Sequence, residues 1–235
     1  MKTLIVVPTY NEIQNVDALL DALMALQPAV DVLVVDDGSP DGTGRRVDER
    51  AMGEPRVKAL HRPRKMGLGT AYIAGFTQGL DAGYDAVMEM DADFSHNPSY
   101  VPALIRASER FDLVIGSRYV ESGGTRGWGF HRRVLSEGAN LFARTLLGLS
   151  IRDCTAGFRC YRASALRRID FKQVLAEGYS FQVEMLWRIL GTGGTVGEVP
   201  IVFEERRHGR SKISRAEVFR AVATVLRLRR EKKRL

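Results

Sequence analysis

A chain of 235 residues, 45% hydrophobic and 27% charged, can build one sizeable core, and it contains no run near the roughly 18–20 apolar residues of a membrane span. Its two cysteines, Cys154 and Cys160, have no metal-type neighbours, which excludes a disulfide framework and reads as thiols kept reduced. The net charge of +7 is lopsided: residues 227–235 hold six Lys or Arg against one Glu, so +5 of it sits in the tail. A near-neutral body with a basic end argues against a nucleic-acid-binding domain and for a local anionic partner such as a membrane surface.

In chain order, the opening MKTLIVVPTYNE has a short apolar run before Pro8 and no small-residue cleavage site, so it reads as a first strand rather than a secretory signal. The runs TLIVVP, VDVLVVDD, VKALHR, YDAVMEMDAD and DLVIGSRY predict five strands bounded by turn residues. Helical periodicity fills the gaps at 16–26, 44–52, 69–82 and 100–110. Strand–helix alternation with continuously apolar strands predicts an α/β fold, a mostly parallel sheet covered on both faces. The second half is less regular. A Gly-rich loop, ESGGTRGWGF, precedes a helix at 131–147; then come a short strand near 157–161, a helix at 181–190, a strand near 195–203, a basic loop EERRHGRSK and a last helix from about 215. The expected organisation is one domain over residues 1–213 and a basic amphipathic helix over 214–235, with no transmembrane segment.

Ligands of parallel α/β sheets bind beyond the carboxyl ends of the strands, and the polar clusters fall there. Strand one ends in PTYNE, strand two in DDGSPDGT, strand four in DADFSH. That aligns Glu12, Asp36, Asp37, Asp91 and Asp93 along one sheet edge. Taken singly, such residues are turn formers and helix caps, as Asn11 and Asp41 would be. Taken together, they repel unless a cation sits among them, and an all-oxygen set suits Mg²⁺ or Mn²⁺ with positions left for substrate phosphates. Arg118, Arg132, Arg133, Ser136, Arg206, Arg207, Arg210 and Lys212 supply the complementary donors that anionic substrates need. The solvated-surface reading fits Arg133, Arg207 and Arg210 better. The glycines of MGLGTAYIAG match neither a P-loop nor a dinucleotide fingerprint and read as close packing of loop on helix.

The motifs VVPTYNE, VVDDGSPDGT, RKMGLGTAYIAGF, MDADFSHNP, GSRYV, RRVLSEGAN, DCTAGFRCYR, GYSFQVEM and ERRHGRSKIS follow one another from residue 4 to about 215. In that order they resemble the dolichol- or polyprenol-phosphate mannosyltransferases, inverting enzymes of the Rossmann-like GT-A nucleotide-diphospho-sugar transferase fold. The resemblance implies a donor pocket lined by Pro8, Tyr10, Glu12, Val35 and Asp37, with Asp91, Ala92 and Asp93 holding a divalent metal, Mg²⁺ or Mn²⁺, against the donor diphosphate. Ser95 would stand at a further ligand position, Arg118, Arg132 and Ser136 at the acceptor phosphate, and Arg206 and Lys212 on a loop closing over the donor. Asp91, Asp93, Arg118 and Arg132 would carry catalysis. Ser95 stands where some relatives carry Gln, and Glu177 where a basic or neutral residue is expected.

The implied reaction moves mannose from GDP-mannose to a polyprenyl phosphate at the cytoplasmic face of a membrane, the protein being peripheral there or held by a membrane-protein partner. UDP-glucose or another nucleotide sugar is the alternative donor. A non-catalytic nucleotide- or nucleic-acid-binding protein is the reading from a different class, and the intact DAD argues against it. In the last helix, Val218, Phe219, Val222, Val225 and Leu226 share one face, which suits either a bilayer interface or docking on the core.

Overall fold

The structure, a computed structural model, describes residues 1–178, 180–205 and 215–232. The first half alternates β1 (Thr3–Thr9), α1 (Val16–Met24), β2 (Asp31–Asp36), α2 (Thr43–Gly53), β3 (Val57–His61), α3 (Leu68–Asp81), β4 (Ala86–Glu89), α4 (Val101–Ala107) and β5 (Leu113–Ser117). The second half adds β6 (Gly124–Thr125), α5 (Phe130–Leu147), β7 (Arg159–Arg162), α6 (Ala163–Leu166), α7 (Ser180–Gly191), β8 (Val196–Pro200), β9 (Val202–Phe203) and α8 (Arg215–Lys232).

Among the described residues the main sheet has the order β3-β2-β1-β4-β7-β5-β8, parallel except for β7, which runs antiparallel between β4 and β5. The strand run Leu4–Val7 is apolar throughout because both of its faces are covered. Leu4 and Val6, with Leu33 and Val35 of β2, join the core beneath α3 and α7. Ile5 and Val7, with Val32 and Val34, join the core beneath α1 and α4. Period-two side-chain alternation thus splits each strand between two cores. Val6 and Leu4 come close enough to α3 that a Cβ added at Gly75 would lie 2.4 Å from Val6, and one at Gly79 3.0 Å from Leu4.

Three expected elements differ in detail. β4 ends at Glu89; Met90 still donates to the Val6 carbonyl (3.2 Å), but Asp91–Asp93 form a turn and Phe94 takes φ 63°. The helix expected over 100–110 begins as a short 3-10 turn, Pro98–Tyr100, capped by Asn97, whose side chain accepts from Ser99 N. The strand expected over 195–203 breaks at Ile201. There the chain leaves β5 and turns to pair with β6, while Ile201 itself is buried under Gly116.

Helix α8 docks on α5 and α7 through Val225 and Leu228, which join the core with Ala143 and Leu147. Ion pairs fix its rotation: Arg227 to the buried Glu184 (2.7 Å) and Arg220 to Glu177 (3.2 Å). The second pair gives the unexpected acid at 177 a partner. Val218, Phe219, Val222 and Leu226 face outward. Of the apolar face expected for this helix, Val225 therefore serves the core and the other four remain exposed. Among the described residues no helix is long and apolar enough to cross a membrane.

Candidate active site

Strands β2, β1 and β4 are neighbours, so their carboxyl ends bring together the turns carrying PTYNE, DDGSPDGT and DADFSH. The first two are stitched to each other. Asn11 N donates to Ser39 Oγ (3.0 Å), Glu12 N to Thr43 Oγ1 (3.0 Å) and Ile13 N to Asp41 Oδ2 (3.1 Å). Asp36 accepts from Thr9 Oγ1 (2.9 Å) and Ser39 N (3.0 Å), which makes it the framework of its own turn. Asp37, almost buried, pairs with Arg62 and accepts from Met66 N (3.0 Å). Glu12 accepts from Asn15 Nδ2 (2.7 Å).

Pro8 lies in register with Val35. Val35 itself is fully buried, so it stands beside Pro8 in the sheet and offers no exposed surface. Tyr10 is exposed, with the Lys65 ammonium 4.7 Å from its ring centre. One open hollow beside these turns is lined by Asn11, Glu12, Asn15, Pro40 and Asp41, and a second by Asp36, Ser39, Arg45, Asp48 and His61. Asp36 and Asp37 are thus engaged by the framework of the second turn, and Asp91 and Asp93 stand together in the third.

That turn is held from several directions. Asp91 N donates to His96 Nδ1 (3.0 Å), Tyr72 OH donates to Asp91 Oδ1 (3.3 Å), and Ser95 N donates to Asp93 Oδ1 (3.0 Å). Ala92 and Asp93 are almost buried. The Ser95 hydroxyl is a buried polar atom without a hydrogen-bond partner. His96 stacks on Phe158 at 4.9 Å; burial lowers its pKa, against the pull of Asp91 and Asp93, which raise it. Its Nδ1 accepts a main-chain N–H, so the neutral ring carries its proton on Nε2.

Two carboxylates and an orphaned hydroxyl in one tight turn fit a small, hard divalent cation. Mg²⁺ and Mn²⁺ need only one or two protein carboxylates when substrate phosphates supply further oxygens. Among the described residues there is no cluster of three or more His, Cys, Asp or Glu arranged for a metal.

A wall of basic and aromatic side chains lies beside the acidic turn. Arg118, following β5, binds Asp153 through Nε and Nη2 (both 2.7 Å), and its main-chain N–H also donates to Asp153 (3.0 Å). Burial alone would raise the Asp153 pKa, but the bonds from Arg118 outweigh it and hold the carboxyl below the usual range. Trp128 lies between the arginines, with guanidinium carbons 5.5 Å (Arg118) and 4.2 Å (Arg132) from its ring. Tyr119 OH donates to Ser136 Oγ (2.9 Å). Arg118, Arg132 and Ser136 are thus gathered around one aromatic pair. Phe203 joins this wall to the acidic turn, lying 5.7 Å from Arg118 and 5.5 Å from the His96 ring. Arg206 and Lys212 lie outside the described residues.

Sequence reasoning passed over several of these groups. Trp128 and Phe203 look like ordinary loop and strand aromatics, and Asp153 lies 35 positions from Arg118. Glu89 is the least expected. It is fully buried behind the acidic turn, beside Arg159, Tyr161 and Gln182, and burial pushes its pKa up to about 7 despite Arg159. The sequence signal was a glutamate inside an apolar strand; the structure pairs it in register with Arg159 of β7.

Residues 4–170 match the family model described as Glycosyl transferase family 2. An undecaprenyl-phosphate mannosyltransferase of Micrococcus luteus is 49% identical over 97% of this chain and 93% of its own length. A polyprenol monophosphomannose synthase of Mycolicibacterium smegmatis is 47% identical over 95% of this chain and 85% of its own. Among solved structures, glucosyl-3-phosphoglycerate synthase of Mycobacterium tuberculosis, in complex with Mn²⁺, UDP and phosphoglyceric acid, superposes with a TM-score of 0.71 at 19% identity. It covers 97% of this chain and 78% of that one, a likeness of fold.

Proposed function

The chain belongs to glycosyl transferase family 2 and is a glycosyltransferase, and from that premise we propose that it transfers mannose from GDP-mannose to a polyprenyl phosphate with inversion. The observation that carries this reading is the adjacency of two sites through Phe203: an acidic turn suited to a cation–diphosphate, and an Arg118–Trp128–Arg132 wall suited to a second phosphate. The names of the two bacterial relatives support the sugar and the lipid class. A solved structural neighbour that holds Mn²⁺ with a nucleotide supports the metal.

Asp91 and Asp93, with Ser95 beside them, would hold Mg²⁺ or Mn²⁺, which supplies charge stabilisation to the departing diphosphate. Pro8, Tyr10, Glu12 and Asp37 flank the nucleotide side, and Arg206 and Lys212 belong to the segment that would close over it. On the other side Arg118, Arg132 and Ser136 bind and orient the acceptor phosphate. One of its oxygens attacks the anomeric carbon as the bond from that carbon to the GDP oxygen breaks. The attacking phosphate is already ionised at neutral pH, so no protein base is needed. His96 suits this scheme: its Nδ1 lone pair is occupied and burial disfavours its charged form. The protein's tasks are alignment and offsetting repulsion between two phosphorylated substrates. We place the enzyme peripherally at the cytoplasmic face of the membrane that holds its acceptor.

A thermal-shift series with GDP-mannose, UDP-glucose and UDP-GlcNAc, each with and without Mn²⁺, tests the donor: GDP-mannose should stabilise most, and only with metal. Asp93→Asn should abolish that metal-dependent shift and lower mannosyl transfer about a thousandfold. A variant retaining substantial transfer would refute the role of Asp93.

A further inference from the structure

The loop over residues 153–158, just before β7, reaches both halves of the candidate site. At its start Asp153 grips Arg118 through side-chain and main-chain bonds. At its end Phe158 is fully buried and stacks on His96, whose Nδ1 accepts the Asp91 N–H (3.0 Å). This short stretch therefore runs from the arginine of the basic wall to the acidic turn. A buried turning segment of this kind carries main-chain groups that are costly to leave unpaired.

Arg159, itself fully buried, meets them. Its Nε donates to the Ala156 carbonyl (2.7 Å) and its Nη2 to the Cys154 carbonyl (2.9 Å). Nη1 reaches out of the loop to the Gln182 carbonyl of α7 (2.7 Å). In the sheet Arg159 stands in register with Glu89, two positions before Asp91. Asn140 of α5 secures the start of the loop, accepting from Cys154 N (2.9 Å) and donating to the Arg152 carbonyl. Gly116 of β5 secures its end by donating to the Phe158 carbonyl (2.8 Å). An arginine is among the costliest side chains to bury. Its planar fork suits this place because the turning chain points carbonyls inward that an apolar side chain would leave unmet.

We propose that Arg159 is a positioning residue for glycosyl transfer: by clamping the 153–158 loop it holds Arg118 and the Asp91 turn at one fixed spacing. Transfer needs the acceptor oxygen and the anomeric carbon in line within roughly 3–3.5 Å, and a misplacement of about 1 Å can cost a hundredfold in rate. Arg159 touches neither substrate and acts only through the loop. The clamp stands on the contacts alone; its effect on rate rests on the proposed reaction between two phosphorylated substrates.

The test compares the wild type with Arg159→Lys, which keeps the charge but replaces the fork by a compact ammonium. Amide exchange followed by NMR reports on the clamp without any reaction. The N–H of Arg118, bonded to Asp153, and the N–H of Asp91, bonded to His96, should both exchange about tenfold faster, while the amides of β1 and β2 keep their wild-type rates. Kinetics report on the consequence: kcat should fall about a hundredfold, with the KM values for GDP-mannose and polyprenyl phosphate within about twofold of wild type. If Arg159→Lys does not fold, Asn140→Asp, which removes the donor to the Arg152 carbonyl, takes its place with the same two readouts. Faster exchange at only one of the two amides would overturn the proposal, because the loop would then not move as one body. A lower melting temperature with unchanged kcat would overturn it as well, since the arginine would serve the fold alone. A wild type that transfers no mannose to polyprenyl phosphate would sink the proposed reaction, and the paired exchange rates would still decide the clamp.

Discussion

The Arg118 guanidinium meets Asp153 through two nitrogens and Thr155 Oγ1 through one of the same pair (2.8 Å), with both partners of the ion pair almost fully buried. A buried pair contributes little against an apolar replacement of both residues, but removing one partner strands the other's charge. Asp153→Asn should therefore cost about 3–5 kcal/mol in urea unfolding. The same pair sets an acid limit. The Asp153 pKa is depressed on folding from its ordinary 3.8, so its stabilisation is fully present above about pH 4 and is lost as pH falls through the lower native value. The wild type should lose stability below about pH 4 more steeply than Asp153→Asn, as a pH series of melting curves would reveal. Arg118 itself was legible from GSRY at a strand end. Its partner was not, because sequence shows the need for a buried counter-charge and not which distant carboxylate meets it. The cysteines were legible in kind: both are free and buried, and burial pushes each thiol pKa up to about 12. An Ellman titration at pH 8 should find no reactive thiol in the native protein and both after denaturation.

At the scale of elements, continuous apolar strands announced a sheet covered on both faces, and the two cores are the direct result. The glycines opening and lining α3 read from the sequence as close packing, and the contacts are of that kind. A Cβ at Gly69 would meet Phe181 at 2.8 Å, and one at Gly75 would meet Val6 at 2.4 Å. Gly75→Ala should cost about 1–3 kcal/mol by lifting α3 from β1, measured as a lower urea midpoint with an unchanged m-value. Since α3 also carries Tyr72, whose hydroxyl donates to Asp91, the variant should raise the metal concentration needed for half-maximal activity. Where element reading fell short, the cause was physical. The acidic motif was read as strand because its apolar lead-in is strand-like, yet the ladder stops at Glu89 and the motif occupies the turn beyond. Periodicity placed α5 correctly but could not tell which of its apolar rows faces inward, since that depends on what packs against the helix.

On the scale of the whole molecule, a buried carboxylate ties the last helix to the body. Glu184 of α7, fully buried, accepts from Leu175 N (3.2 Å) and Ala176 N (2.8 Å), and pairs with Arg188 (2.6 Å) and Arg227 of α8 (2.7 Å). The Ala176 carbonyl in turn lies against Gly69 at the start of α3, so α8 is coupled through one side chain to the segment beside the acidic turn. This link was not legible beforehand, because the glutamate lies inside an apolar helix 43 residues from Arg227. Two substitutions separate latch from core. Arg227→Met removes one of several donors to Glu184 and should loosen α8 alone, visible as faster amide exchange over residues 215–232 with the sheet unchanged. Glu184→Gln removes the charge that two arginines share and turns one of its two acceptor oxygens into a donor, so it should cost more, about 3–5 kcal/mol, with faster exchange reaching residues 174–178 as well. A double-mutant cycle between the two should return a coupling of about 1–3 kcal/mol. Strict additivity would mean that the Arg227–Glu184 pair does not help to hold α8 and that the carboxylate serves only the loop and Arg188.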